Sequence, residues 1–143
     1  MLQAPASGLR ENPGVVVKRS ATGYAATVTA LIDAIERRGL TVFARIDHAA
    51  GAREVGLELA DEQVVVFGSA RAGTPLMQSD PRIGVELPLR MLVWSDGEGA
   101  LVGYVDPREL LDRYDVAERE SMLEQMAALL AGLTDDACGA ARG

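Results

Sequence analysis

The sequence predicts an α+β domain of two layers: an antiparallel or mixed sheet of five to six strands packed by two main helices. Three observations carry this. The apolar period switches from helical to strand-like after Gly39 and returns to helical near Val116. Runs rich in Val, Leu and Ile are joined by connections too short for the crossover that parallel neighbours need. A length of 143 residues suits one domain able to bury its own core.

Residues 1–12, with Pro5, Ser7, Gly8, Glu11 and Asn12, have no periodicity and read as a disordered lead-in to a domain spanning 13–133. Val15-Val16-Val17 is β-branched and reads as the first strand. Ser20 or Thr22 then caps a helix whose Val28, Leu31, Ile32 and Ile35 share one face. Arg37, Arg38 and Gly39 end it, with cations at the negative terminus and a glycine tolerant of positive φ beyond them. From Leu40 the period is two, with Leu40, Val42, Ala44 and Ile46 on one face and Thr41, Phe43 and Arg45 on the other. Val55, Leu57 and Leu59 alternate likewise, and are expected to form a hairpin with Val64–Phe67 through Asp61-Glu62. A short helical stretch near Pro75–Ser79 follows. Met91–Trp94 and Leu101–Val105 flank Ser95-Asp96-Gly97-Glu98-Gly99, a second hairpin. A helix over Val116–Leu130 closes the domain, with Asp115 and Glu118 as a capping-box-like start and Leu123, Met126, Ala127 and Leu130 as its stripe. Residues 134–143 read as a disordered tail.

Val64–Phe67 and Met91–Trp94 are apolar on both faces, which a strand tolerates only where something covers the second face. In so small a chain that cover is expected to be a second copy, which predicts a homodimer.

Fourteen basic against 21 acidic residues, a net charge of −7, argue against a nucleic-acid footprint, which needs Lys and Arg to displace phosphate counterions. The acidity is concentrated in residues 61–143, which hold 15 acidic and seven basic groups. The lone Cys138 and lone His48 exclude a disulfide framework, a zinc ribbon and a multi-histidine site, so no metal is expected. Cys138, in the expected tail, is assigned no role. No basic segment leads into an apolar one at the N-terminus, and no apolar run approaches the roughly 18 residues of a membrane span. A cytoplasmic protein without a membrane partner is expected.

Two places are candidates for chemistry. His48 closes the second strand, where an imidazole near its ordinary pKa could shuttle protons; Asp47 points to the opposite face and cannot orient it while the strand lasts. The bland reading is a histidine bonded to a loop carbonyl. The stretch Phe67-Gly68-Ser69-Ala70-Arg71-Ala72-Gly73-Thr74-Pro75 places a glycine- and serine-containing loop between a strand and a helix, where backbone N–H groups and Arg71 could receive an anion. It matches neither a phosphate-binding loop nor G-x-G-x-x-G, and G-x-S-x-G is absent. The plainer reading has Thr74 capping a helix with Pro75 in its first position.

Three segments together resemble one family: Val42-Phe43-Ala44-Arg45-Ile46-Asp47-His48-Ala49-Ala50-Gly51-Ala52, Val66-Phe67-Gly68-Ser69-Ala70-Arg71-Ala72-Gly73-Thr74-Pro75-Leu76-Met77, and Leu87-Pro88-Leu89-Arg90-Met91-Leu92-Val93-Trp94. The chain resembles the bacterial and archaeal family of domain of unknown function 302 over about residues 14–131. Where the family carries an asparagine-proline-lysine-like stretch, this chain has Ser69-Ala70-Arg71, which keeps the positive charge and loses a proline. The resemblance implies an antiparallel α+β fold and dimers, and no established reaction. It also implies that His48, Gly68, Gly73, Thr74 and Pro75 occupy characteristic positions.

The function expected from these readings is a homodimeric module that binds a small anionic ligand or a partner. Gly68, Ser69, Arg71, Gly73 and Thr74 would be the ligand-binding residues, beside His48, Phe43 and Met77. The alternative is an enzyme with His48 as general acid or base on a small anionic substrate. No cofactor is identified by the sequence.

Overall fold

A computed structural model describes residues 14–139. Its strands are β1 (Val15–Arg19), β2 (Thr41–Asp47), β3 (Glu62–Gly68), β4 (Leu89–Ser95) and β5 (Ala100–Val105). Its helices are α1 (Tyr24–Arg37), α2 (His48–Glu54), α3 (Ala70–Ser79) and α4 (Glu120–Cys138), with 3-10 turns at Pro81–Glu86, Pro107–Asp112 and Ala117–Arg119. The five strands form one sheet in the order β1-β5-β4-β3-β2, and every neighbouring pair is antiparallel. The expected two-layer α+β fold is therefore present, with no parallel pair among the described residues.

Helices α1 and α4 lie together on one face of the sheet. Val28, Leu31 and Ile35 of α1 and Leu130, Leu133 and Ala137 of α4 bury against Val65, Phe67, Met91, Val93 and Val102. A second cluster, Leu76, Ile83, Leu110, Val116, Leu123 and Met126, joins α3 and the 3-10 turns to the start of α4. Because strand side chains alternate, Val64, Val66, Leu92 and Trp94 point away from α1 and α4, and all four are only partly covered.

Several local readings change. The stretch Val55–Leu59 is not a strand: β2 pairs with β3 instead, from Thr41 opposite Gly68 to Asp47 opposite Gln63. The Asp47 carboxylate accepts the Ala50 N–H at 2.8 Å and starts α2 over an alanine-rich run. Residues 55–61 are left as an exposed connection between α2 and β3. His48 is consequently the first residue of a helix and not the end of a strand.

Helix α3 begins five residues earlier than Pro75, because Ser69 caps it by accepting the Ala72 N–H at 3.2 Å. Pro75 lies inside that helix, so Thr74 caps nothing. At α1 the residue before the helix is Gly23, which has no side chain to cap with. Ser20 and Thr22 instead join Thr27 in a hydroxyl cluster, with Ser20 Oγ and Thr27 Oγ1 2.7 Å apart.

The last helix starts at Glu120 without a side-chain cap, and Asp115 donates its N–H to Asp80. It also runs through Thr134–Cys138, a stretch that composition assigns to a tail. Thr134, Ala137 and Cys138 are buried there, while Lys18–Asp135 and Arg38–Asp136 ion pairs tie the turn down. Their tertiary partners override the small and acidic local composition. The lead-in at 1–12 and the end at 140–143 lie outside the described residues.

Candidate functional site

The sheet divides at one end. β4 and β5 pair from Ser95 opposite Ala100 to Leu92 opposite Gly103, and there the pairing stops. Both strands continue, β4 back to Leu89 and β5 on to Val105. β4 stays paired to β3 as far as Leu89 opposite Phe67, and β5 stays paired to β1 as far as Val105 opposite Val15. Two halves of the sheet thus part company between Leu89–Met91 and Tyr104–Val105.

A cavity of about 320 Å³ occupies this region. Val64, Leu92, Trp94 and Gly103 line it from the open face, and Leu87, Leu89 and Leu110 from deeper in the domain. Its surroundings are mostly apolar, with Glu86 and Arg90 as the two charged side chains. Such a volume lies at the small end of ordinary ligand pockets.

The two charges differ in their partners. Glu86 accepts the Tyr114 hydroxyl at 2.8 Å and faces Arg113 at 3.4 Å. That hydrogen bond, with loss of solvent and the negative charge of Glu86 behind it, raises the Tyr114 phenol above its ordinary pKa. Arg90, on an exposed position of β4, has no ion pair among the described residues.

The residues singled out from sequence do not form one site. His48 follows Asp47, which pairs with Gln63 at the start of β3, whereas Gly68 ends that strand opposite Thr41. Five residues of strand separate the two ends, roughly 17 Å at about 3.3 Å per residue. His48, Arg71 and Thr74 are exposed. Around Gly68 the structure does gather Phe43 and Pro88, and around Gly73 it gathers Leu87 and Met77. Ser69 spends its hydroxyl on the helix cap. No group of three His, Cys, Asp or Glu side chains suited to a metal occurs among the described residues. No helix among them is long and apolar enough to cross a membrane.

Arg90 and Trp94 fall within the third family-like segment and Glu86 just before it, but none of the three stands out as a site residue from the sequence. The available signal was the two-sided apolar character of Met91–Trp94, which pointed at an open face and gave no hint of a cavity in it.

This geometry, an antiparallel five-stranded sheet under two helices with short turns sealing one end, is that of a known fold. The crystal structure of an uncharacterized conserved protein DUF302 from Bacillus stearothermophilus superposes with a TM-score of 0.80 at 16% identity, covering 89% of this chain and 99% of that one. Residues 16–133 match the family Domain of unknown function DUF302, and the chain belongs to that family.

Two curated relatives are longer. The fluoride-specific ion channel FluC 1 of Brucella suis is 38% identical over 104 residues, 72% of this chain and 41% of that protein. The fluoride-specific ion channel FluC 2 of Brucella melitensis is likewise 38% identical over 104 residues, 38% of its length. The chain thus spans about two fifths of the length of the channels it matches.

Proposed function

We propose that this protein is a homodimeric module that holds a small ligand on the uncovered face of its sheet. The observation that carries the reading is the one-sidedness of the domain. α1 and α4 cover one face, and the other displays Val15, Val17, Ile46 and Val105, the last 50% exposed, around an apolar cavity. Apolar surface gathered in this way marks an interaction site in soluble domains. A second copy related by a two-fold axis would present the same surface in return and close the cavity from above.

The comparison with the Brucella channels supports a modular role. What matches there is a minor part of each chain, and the described residues supply no membrane-crossing helix. In such a protein the module would sit beside the conducting part and report on a bound small molecule. The enzyme alternative would rest on His48 exposed at the start of α2, with the neighbouring Asp47 carboxylate already accepting the Ala50 N–H.

Light scattering at micromolar concentration, with native mass spectrometry of freshly purified protein, tests the reading. The expected result is a dimer with extra mass that is lost on denaturation. A monomer overturns the account of the open face, and a dimer that takes up no small molecule in titration overturns the ligand.

A further inference from the structure

We propose that the gap between the parted ends of β4 and β5 takes a compact aliphatic molecule carrying one anionic group, with the anion on Arg90. This rests on the ligand-binding reading above and names the chemistry of its ligand. The walls set the first half of the description. Val64, Leu87, Leu92, Trp94 and Val105 offer no side-chain hydrogen-bond acceptor, so whatever fills the space gains mainly from burying carbon. A volume of about 320 Å³ admits a chain or ring of modest size and excludes a nucleotide or a folded peptide.

The charges set the second half. Glu86 is already held by Tyr114 and Arg113, so its charge is largely answered within the protein. Arg90 is the cavity charge left over among the described residues. A guanidinium donates a planar fork that matches a carboxylate, and the exposed position of Arg90 sets that fork at the cavity's mouth, with the apolar walls left to the carbon chain. The parted strands add a further source of donors. Leu89–Met91 and Tyr104–Val105 make no cross-strand pairs with each other, so the backbone edges that face the gap are free to bond an oxyanion. The overall charge of −7 does not oppose this, because salt screens charges beyond about 8 Å at physiological ionic strength and leaves the local guanidinium to decide.

Octanoate, octan-1-ol and octylamine share a chain length and differ in charge, so titrating each into the full-length protein isolates the anion. Calorimetry and the emission of Trp94, the single tryptophan, read the binding. The expected result is octanoate binding at least tenfold tighter than octanol, with octylamine weakest. Arg90→Met should abolish the octanoate preference while leaving octanol affinity intact, and Arg90→Lys should restore part of it. Equal affinities for the three, a preference for octylamine, or no binding by any of them overturns the proposal. Light scattering on the same samples separates the two readings. A monomer that still prefers octanoate sinks the dimer alone, and a dimer with no preference sinks the anion site alone.

Discussion

The indole of Trp94 lies over Gly103 of the neighbouring strand, so that a Cβ at position 103 would sit 3.0 Å from Cζ3 of the ring. The contact links the hairpin to the cavity, since both residues line it. It also explains why a glycine occupies the middle of a paired strand, where glycine normally weakens the sheet.

Gly103→Ala should therefore push the ring off the strand. The expected cost is about 1–3 kcal/mol, typical of overpacking. The Trp94 emission should shift to the red as the ring gains water. Urea unfolding and a fluorescence spectrum together check it; an unshifted spectrum with unchanged stability would mean that the ring yields freely.

Capping should separate two residues that the sequence treats alike. Ser69 accepts the Ala72 N–H, whereas Thr74 is an exposed residue within α3. Ser69→Ala should lower stability by about 1 kcal/mol, and Thr74→Ala should change it by less than about 0.5 kcal/mol. Equal effects in a denaturant titration would contradict the start of α3 at Ala70.

Ending the chain after Leu133 should be costly. The cut removes buried Thr134, Ala137 and Cys138, the Lys18–Asp135 and Arg38–Asp136 ion pairs, and the Cys138 carbonyl that accepts the Ala21 N–H. A loss on the order of 3 kcal/mol or more is expected from the lost burial. A truncated chain as stable as the full one would restore the reading of 134–138 as a loose tail.

Cys138 should be slow to react in the folded protein. It is 1% exposed, and burial raises its thiol above the ordinary pKa, so little thiolate forms near neutrality. Its reaction with a disulfide reagent at pH 8 should accelerate by more than about tenfold in denaturing urea. Similar rates in both conditions would place the sulfur at the surface.

Acid should weaken the fold through its paired carboxylates. Arg19 holds Asp96 down to about 2, helped by the Glu98 N–H, and Arg82 with the Asp115 N–H holds Asp80 well below the carboxylate range. A pKa lower in the folded than in the unfolded chain contributes stability above the unfolded value, near 4, and loses it as pH falls toward the folded one. Asp96→Asn should accordingly be less stable than the parent at pH 7, with the difference shrinking between pH 4 and pH 2. A difference that is constant across that range would remove the Arg19 pairing as its source.

Much of the sheet was legible because its signals are local and agree with one another. Val28, Leu31 and Ile35 mark α1, the glycines after Ser95 mark the hairpin, and two-sided Val64–Phe67 marks a central strand. The misread parts are places where one capping side chain outweighs a longer pattern. Asp47 starts a helix where alternation suggests a strand end, and Ser69 starts another ahead of a tempting Thr74-Pro75 pair. The cavity was not legible at all, because it depends on two strands ceasing to pair after Leu92 and Gly103, which no periodicity records. The separation of His48 from the Gly68 loop is likewise a matter of register, fixed only once β2 and β3 are aligned.

The contact between Ala21 and Cys138 also bears on how the protein is made. Translation delivers Ala21 well before Cys138, and α4 emerges after every other described element of the domain. Until then Leu130, Leu133 and Ala137 cannot cover their share of Val93 and Val102, so the growing chain carries wet apolar strands on both sides of the sheet. A chaperone that grips extended apolar segments would therefore have a client in this domain until the last turns of α4 leave the ribosome.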